Sequence, residues 1–430
     1  MIVRAEIVPG SRLRGEAKVP GDKSIAHRWL ILAATAVGRS ELRNMTSALD
    51  VRSTAECLDA LDVSNVELGQ ETVVEGTGRR GLREPGGTLN CGNSGTTMRL
   101  LSGVLAAAPF RATLVGDESL MKRPMERVAE PLRQMGARIE TADGYPPVNI
   151  TGGDLTGITY RPDVPSAQVK GAVLLAGEAA AGETTVVESV KTRDHTERAL
   201  GALGAPIRHE NGSITISTFD HAGFEGTLPG DVSGAAFLIG AAALTGSSLR
   251  IADTGLNPSR THFLDVLKRM GVRVDRHLLR ETVGEPAGDL EIAETSGLKG
   301  VTVGPEEFPL LVDDIVMIAV MAAFADGESR VDGLGELRVK ESDRLAGLVD
   351  GIRGLGGRAS NEGDSLIVAG GGLKGGTADA RGDHRLAMAF VIGALAAQGT
   401  SQVEGVEYAE ITFPGFVESL ARLGAKVEVR

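Results

Sequence analysis

The chain has 430 residues, 42% of them apolar and 24% charged, enough nonpolar side chains for two to three domains with cores of their own. Its 45 Lys+Arg against 57 Asp+Glu leave a formal net charge of −12, which excludes a general polyanion-binding surface and confines any cationic cluster to a local site. The two cysteines, Cys57 and Cys91, form neither a disulfide framework nor a CxxC pair, and no His/Cys spacing matches a metal motif.

The opening Met1-Ile2-Val3-Arg4-Ala5-Glu6 lacks the charged start and apolar core of a secretory signal. Apolar stretches such as Ala235 to Leu244 and Ile315 to Ala325 are well short of the ~18 residues of a membrane span and are expected to be buried helices. The expectation is a cytoplasmic globular enzyme with structural thiols, no metal and no nucleic-acid or membrane partner.

The first informative segment is Pro20-Gly21-Asp22-Lys23-Ser24-Ile25-Ala26-His27-Arg28, followed directly by the helix-like apolar run Trp29 to Val37. Glycine allows a tight turn, and a lysine, a hydroxyl and an arginine arrive together at the amino end of a helix, where free backbone N–H groups favour an anion. An ordinary capped helix with solvated charges is the plainer reading of this segment taken alone. It is not a P-loop: Asp22 separates Gly21 from Lys23, and Gly15 lies one place too far upstream.

Further along, Ala-rich apolar helices ending in or near glycine are predicted at Ser24 to Gly38, Ser94 to Ala108, Ala167 to Gly177, Ser233 to Gly246, Asp314 to Gly327 and His384 to Gly399. Their spacing of roughly 70 residues marks a repeated supersecondary unit rather than a short solenoid repeat. A second helix follows each in turn: Val51 to Leu61, Met125 to Gly136, His195 to Gly204, Arg260 to Gly271, Glu341 to Gly356 and Phe416 to Gly424. Several lead into an alternating strand, as in Ala137-Arg138-Ile139-Glu140 and Ala425-Lys426-Val427-Glu428-Val429. Leucines at helical spacing and the closing glycines are structural.

Polar groups gather just before or in the first turn of the leading helices. They are Gly92-Asn93-Ser94-Gly95-Thr96-Thr97-Met98-Arg99, Ser166-Ala167-Gln168-Val169-Lys170 and Asp383-His384-Arg385. Repeated amino-terminal helix ends that converge would create an anion-favouring field even in an acidic protein.

At this point the chain resembles a known family over nearly its whole length. Pro20-Gly21-Asp22-Lys23-Ser24 with Arg28, Gly92-Asn93-Ser94-Gly95-Thr96, Lys122-Arg123-Pro124-Met125, Ser166-Ala167-Gln168, Arg193-Asp194-His195-Thr196-Glu197, Arg338-Val339-Lys340-Glu341-Ser342-Asp343-Arg344 and Asp383-His384-Arg385 stand in the order of the signature of the 5-enolpyruvylshikimate-3-phosphate synthase family. The resemblance implies an α/β (α+β) fold of two globular domains, each of three βαβαββ-type units, with the active site in the interdomain cleft. It places one domain at residues 20–229 and the other at 1–19 with 230–430, the crossings falling near Pro20-Gly21 and Pro229-Gly230.

The implied reaction transfers the enolpyruvyl group of phosphoenolpyruvate to the 5-hydroxyl of shikimate 3-phosphate by addition and elimination, releasing phosphate, on the way to aromatic amino acids. A secondary alcohol must lose a proton, a vinyl carbon must gain one, and at least three negative charges must share a small space, so acids and bases have to sit among cations. By resemblance Asp313 is the base for the 5-hydroxyl, and Glu341 and Lys23 handle the proton at the methylene carbon. An aspartate before an apolar helix is otherwise an N-cap, and neighbouring Asp314 competes for either role.

The resemblance assigns phosphoenolpyruvate to Lys23, Gly95, Arg123, Gln168, Arg344 and Arg385. It assigns shikimate 3-phosphate to Lys23, to Ser24 and Arg28 near the carboxylate, to Ser166, Ala167, Gln168, Arg193 and Lys340 near the phosphate, and to Asp313 near the ring hydroxyls. Arginine suits these anions because its planar fork donates two parallel hydrogen bonds. Ala167 contributes only its backbone; Arg99, Lys122 and Lys170 read as field-setting or structural charges. No cofactor is implied, the protein is expected to be a monomer, and glyphosate is implied as an inhibitor at the phosphoenolpyruvate site, with alanine at the position of Gly95 in some tolerant relatives.

Several positions depart from the family pattern. Ala26 and Gly234 stand where serines are frequent, and Ile411 stands where some members carry a lysine that approaches phosphoenolpyruvate. The rival reading, a transferase acting on a UDP-linked amino sugar, usually shows a Gly-Ala-Lys-Asn-like start and a reactive loop cysteine. This chain has Lys23-Ser24 and no cysteine near Arg123. A non-catalytic phosphometabolite-binding homologue is the remaining alternative, which Lys23, Asp313 and Glu341 oppose.

Overall fold

The computed structural model describes residues 2–63 and 66–430. The chain divides into two units. Unit I comprises Gly21–Leu228 with Glu281–Glu285, and unit II comprises Met1–Pro20, Pro229–Arg280 and Pro286–Arg430. Each has a hydrophobic core of its own.

Unit I carries helices α1 (Lys23–Thr35), α2 (Leu49–Asp59), α3 (Gly95–Ala106), α4 (Glu126–Gln134), α5 (Ala167–Gly177) and α6 (His195–Ala202). Unit II carries α7 (Val232–Leu244), α8 (His262–Arg269), α9 (Phe308–Leu311), α10 (Ile315–Ala322), α11 (Arg344–Gly354), α12 (His384–Leu395) and α13 (Phe416–Arg422). A helix that is apolar all round has to be covered on every side. Accordingly every residue of α10 and α12 is buried, as is all of α7 but its last leucine, and the three pack on one another.

Small sheets supply the rest of each layer. Three of them share one order, in which the first two strands run parallel across a helical crossover and the last two form an antiparallel hairpin folded back on the second. One example in unit I is Leu89–Asn90, Arg111–Val115, Tyr145–Thr151 and Arg138–Ala142; a second is Thr159–Tyr160, Thr184–Val187, Ser213–Ile216 and Ile207–Glu210. The order along the chain is therefore strand, helix, strand, helix, strand, strand, the mixed α/β repeat expected. In the sheet of α12 the fourth strand is Arg4–Val8, inserted between Ser401–Glu404 and Lys426–Val429 with Ala5 opposite both Val403 and Val429.

The predicted helices are present with different ends. α1 stops at Thr35, and Val37–Arg43 is a strand instead of the helix's last turn. The stretch Ile315 to Ala325 is helical only to Ala322, because Ala325–Asp326 pairs with Leu298–Lys299. Glu341 lies before its helix: Asp343 accepts from the Ala346 N–H at 3.0 Å and caps α11, so the helix begins at Arg344. Arg260 likewise precedes α8, and the short α9 was not foreseen. The glycines that follow the second helices do their expected work; Gly424, for one, adopts φ +105° where a side chain would be strained.

Both cysteines are free and buried. Among the described residues no helix is long and apolar enough to cross a membrane, and no group of three or more His, Cys, Asp and Glu is placed to hold a metal ion.

Candidate active site

In unit I the amino ends of α1, α3 and α5 are tied together by side chains. Asp22 is buried and caps α1 by accepting from the Ile25 N–H at 3.0 Å, which puts Lys23, Ser24 and Arg28 on the first turns. Lys23 Nζ donates to Asp50 Oδ2 at 2.7 Å, from the first turn of α2. Arg28, 4% exposed, donates from Nη1 to the Ser24 carbonyl at 2.7 Å and from Nε to Thr196 Oγ1 at 2.8 Å. Burial lowers its pKa to about 10, with Glu197, Asp22 and Glu285 offsetting part of the loss, so it stays cationic at neutral pH.

Ser94 caps α3, accepting from the Thr97 N–H at 3.1 Å, and Gly95 follows as its first residue. A methyl at Gly95 would lie 3.0 Å from Arg99 Nη1 and 3.5 Å from Arg123 Nη1, so two guanidinium groups press on this helix end. Arg123 donates to Asn93 Oδ1 at 2.7 Å. Arg99 donates to Gln168 Oε1 at 2.5 Å, and Gln168 Nε2 donates to Thr96 Oγ1 at 2.8 Å, which fixes the amide of Gln168 on α5 against α3. Ser166 caps α5, and the N–H groups of Ala167 and Gln168 belong to the first helical turn, where intrahelical acceptors are lacking. Arg193, half-buried before α6, lies close enough to Arg28 to lower its pKa.

Between α1, α2 and α3 runs a buried polar chain. His27 Nδ1 bonds Thr54 Oγ1 at 2.7 Å, Thr54 bonds Thr97 Oγ1 at 2.7 Å, and Thr97 donates to Ser94 Oγ at 2.8 Å. Burial, and after it Lys23 and Arg28, push the His27 pKa well below the usual imidazole range, which keeps the ring neutral.

Unit II gathers the other candidates in the same way at the amino ends of α10, α11 and α12. Arg344 is buried and donates from Nε to Asp383 Oδ2 at 2.6 Å and from Nη2 to Glu341 Oε2, while Nη1 lies 3.9 Å from Asp313 Oδ1. Arg385 approaches the same carboxylate, with Nε 3.2 Å from Asp313 Oδ1, and donates from Nη1 to the Asp313 carbonyl at 2.8 Å. Burial alone would lower the pKa of Arg344, but Asp383, Glu341 and Asp313 outweigh it and hold the group above the usual guanidinium range. Lys340 is half-buried; desolvation lowers its pKa to about 8 despite the opposing pull of Asp313.

The neighbouring aspartates separate here. Asp314 occupies the N-cap position of α10 and is buried, while the Asp313 side chain is 19% exposed and faces the two arginines. Glu341 and Lys340 precede α11 on an irregular segment, where no helical geometry dictates their direction. Ile411 ends the short helical turn Val406–Ile411 and is half-buried.

The candidates therefore form two sets: Lys23, Ser24, Arg28, Gly95, Arg123, Ser166, Ala167, Gln168 and Arg193 in unit I, and Asp313, Lys340, Glu341, Arg344 and Arg385 in unit II. Sequence reasoning missed the groups that hold them: Asp50 for Lys23, Thr196 for Arg28, Asn93 for Arg123 and Asp383 for Arg344. Of the charges left aside, Arg99 positions Gln168, whereas Lys122 is a surface residue paired with Glu118 one helical turn away.

Residues 7–420 match the family model described as EPSP synthase (3-phosphoshikimate 1-carboxyvinyltransferase). A protein of Acidithiobacillus ferrooxidans named 3-phosphoshikimate 1-carboxyvinyltransferase is 44% identical over 431 residues, covering 100% of this chain and 99% of that protein. One of the same name from Halorhodospira halophila is also 44% identical, over 98% of this chain and 96% of its own. Among solved structures, EPSP synthase from Acinetobacter baumannii superposes with a TM-score of 0.89 at 39% identity, covering all of both chains. The enolpyruvyl transferase NikO from Streptomyces tendae shares the fold, with a TM-score of 0.78 at 21% identity, over 100% of this chain and 99% of its own.

Proposed function

Since the chain belongs to the EPSP synthase (3-phosphoshikimate 1-carboxyvinyltransferase) family, we propose a division of labour among its residues for that family's reaction. The protein transfers the enolpyruvyl group of phosphoenolpyruvate to shikimate 3-phosphate and releases phosphate, a step in aromatic biosynthesis. The reading of the residues rests above all on Asp313 and Glu341, two carboxylates held within reach of the buried cations Arg344 and Arg385.

In this reading Arg28 and Ser24 take the shikimate carboxylate, and Ser166, the Ala167 backbone, Gln168, Arg193 and Lys340 take the phosphate ester. Asp313 accepts the 5-hydroxyl proton as the oxygen attacks C2 of phosphoenolpyruvate, and Glu341, with Lys23, delivers a proton to C3. The adduct is a tetrahedral ketal. Loss of a C3 proton then expels phosphate and restores the double bond, so the proton borrowed at C3 is returned and the hydroxyl proton leaves with the products. Lys23, Gly95, Arg123, Gln168, Arg344 and Arg385 hold the phosphoenolpyruvate anion; preorganised cations of this kind are the largest source of stabilisation for charge that grows in a transition state.

Neither unit carries the whole set. In this reading the protein is a cytoplasmic monomer that needs no cofactor, the roles above being filled by its own side chains and backbone. The test is phosphate release from phosphoenolpyruvate, which must depend on added shikimate 3-phosphate. Release with a UDP-linked amino sugar instead would overturn the substrate assignment.

Two expectations follow from single residues. Lys340, with a pKa of about 8 in the free protein, loses its charge as pH rises through that value. Bound phosphate favours the charged form, and above roughly pH 7 the ester is already a dianion. Shikimate 3-phosphate affinity should therefore be level from pH 7 to 8 and then fall by up to about tenfold per pH unit. In Lys340→Met the affinity should be weaker and that fall absent, as measured by calorimetry.

Gly95→Ala would set a methyl against Arg99 and Arg123, the latter a proposed phosphoenolpyruvate ligand. Both guanidinium heads can shift by a few tenths of an ångström, so phosphoenolpyruvate should lose little. Glyphosate, the slightly longer inhibitor, should lose about 1–2 kcal/mol, roughly 5- to 30-fold. The parent is expected to be glyphosate-sensitive, and the ratio of the glyphosate inhibition constant to the phosphoenolpyruvate KM should rise in the variant.

A further inference from the structure

We propose that Lys170 is a positioning residue that makes the phosphate subsite of unit I electrostatically usable; this rests on the substrate assignment above. Lys170 is only 1% exposed, and Nζ lies 3.0 Å from Glu188 Oε1 and 2.7 Å from Glu197 Oε1. A lysine pays a large desolvation cost at such a site, so its presence calls for an account.

Its position supplies one. Lys170 is on α5, one turn beyond Ser166, whose carbonyl accepts its N–H at 3.0 Å. Glu188 Oε1 also accepts from the Thr192 N–H at 3.0 Å and from Thr192 Oγ1 at 2.5 Å, so the lysine and Thr192 converge on one oxygen and hold the segment that ends in Arg193. Glu197 is on α6 beside Thr196, the residue that receives Arg28. The next residue after the lysine is Gly171, where a methyl would lie 2.8 Å from Thr196 Oγ1 and 3.7 Å from Arg28 Nη2. Lys170 thus joins the three elements that carry Ser166, Arg193 and the partner of Arg28.

The charges explain why a cation is needed there. Glu197, buried, and Glu188, whose side chain is 10% exposed, would otherwise be two uncompensated carboxylates beside the phosphate subsite, repelling a dianionic ester. The lysine faces Glu188 from the segment after Thr184–Val187 and Glu197 from α6; Arg28 from α1 interacts with Glu197, and Arg193 before α6 with Arg28. Nearby, His195 bonds Glu285 at 2.7 Å and Arg198 donates to Asp194 at 2.9 Å, and Glu285 and Asp22 also act on Arg28. Lys170 leaves the triad at one net negative charge, which the two arginines exceed.

The experiment measures calorimetric affinity for shikimate 3-phosphate and for shikimate, which lacks the phosphate, at low and at high ionic strength. In Lys170→Met the phosphorylated ligand should bind at least about tenfold more weakly, the loss of a favourable charge near a dianion, and the deficit should shrink as salt is raised. Shikimate affinity should change far less. Equal losses for both ligands would mean a purely structural lysine, and a parent-like affinity and salt dependence would also overturn the proposal. Should Lys170→Met fail to fold by circular dichroism, Glu197→Gln decides. That change removes one negative charge and should tighten the phosphorylated ligand alone at low ionic strength; unchanged or weakened binding overturns the proposal. A parent that binds neither ligand refutes the substrate assignment and this inference together, a pattern distinct from the others.

Discussion

Asp313→Asn and Glu341→Gln should each lower kcat by roughly 10²- to 10⁴-fold, the usual worth of a general acid or base, and leave shikimate 3-phosphate binding intact. Each change keeps size and a hydrogen-bonding oxygen and removes only the capacity to take a proton. The structure makes the two variants distinguishable. Asp313 shares Arg385 and Arg344, whereas Glu341 bonds Arg344, which also has Asp383. Glu341→Gln should therefore raise the KM for phosphoenolpyruvate modestly, and Asp313→Asn should change it through Arg385. Near-normal turnover in either variant removes that residue from its assigned role, and loss of shikimate 3-phosphate binding in parallel with rate would reassign it to binding.

The largest effect on stability is expected at Asp383. This carboxylate is fully buried, accepts from Arg344 Nε at 2.6 Å and caps α12 through the Arg385 N–H at 2.9 Å. Asp383→Ala removes the partner of a buried guanidinium, a change that costs about 3–5 kcal/mol, and a helix cap worth about 1 kcal/mol more. The melting temperature of unit II should fall by on the order of 10 °C. Asp383→Asn retains the acceptor for the cap and should lose less. Because Arg344 then leans on Glu341 and Asp313, both variants should also raise the KM for phosphoenolpyruvate; a variant with parent-like melting would show that Glu341 and Asp313 alone suffice to hold the arginine.

The fold was legible where the signal is local. Apolar periodicity places all six leading helices, and the lack of a polar face marks α7 and α10 as buried, because a helix with no wet side has to be covered all round. Their ends were misjudged because glycine marks where a helix can no longer continue, while the actual stop is set by the next strand, as at Val37, and the actual start by a cap, as at Asp343. Pairing across long separations left no trace in the linear pattern, and the insertion of Arg4–Val8 into the sheet of α12 is the clearest instance.

The candidate site divides in the same way. Anion-binding residue types at helix starts could be read along the chain, since the turn, cap and cation are neighbours in sequence. The acids and hydroxyls that aim those cations could not: Asp50 lies 27 residues from Lys23, and Thr196 lies 168 from Arg28. In isolation Asp50 looks like an acid at a helix start, and only tertiary packing reveals which cation it meets.

The placement of Arg4–Val8 also sets an order of events during synthesis. Unit I, apart from its five-residue segment Glu281–Glu285, is complete in sequence once Leu228 has been made. Strand Arg4–Val8 has no ladder to join until Ser401–Glu404 and Lys426–Val429 exist. At about 5–20 residues per second the ribosome leaves that strand edge unpaired for roughly 20–80 s. Its sequence Arg-Ala-Glu-Ile-Val sets a charge at alternate positions on one side, a pattern that discourages premature pairing with a foreign strand during the wait.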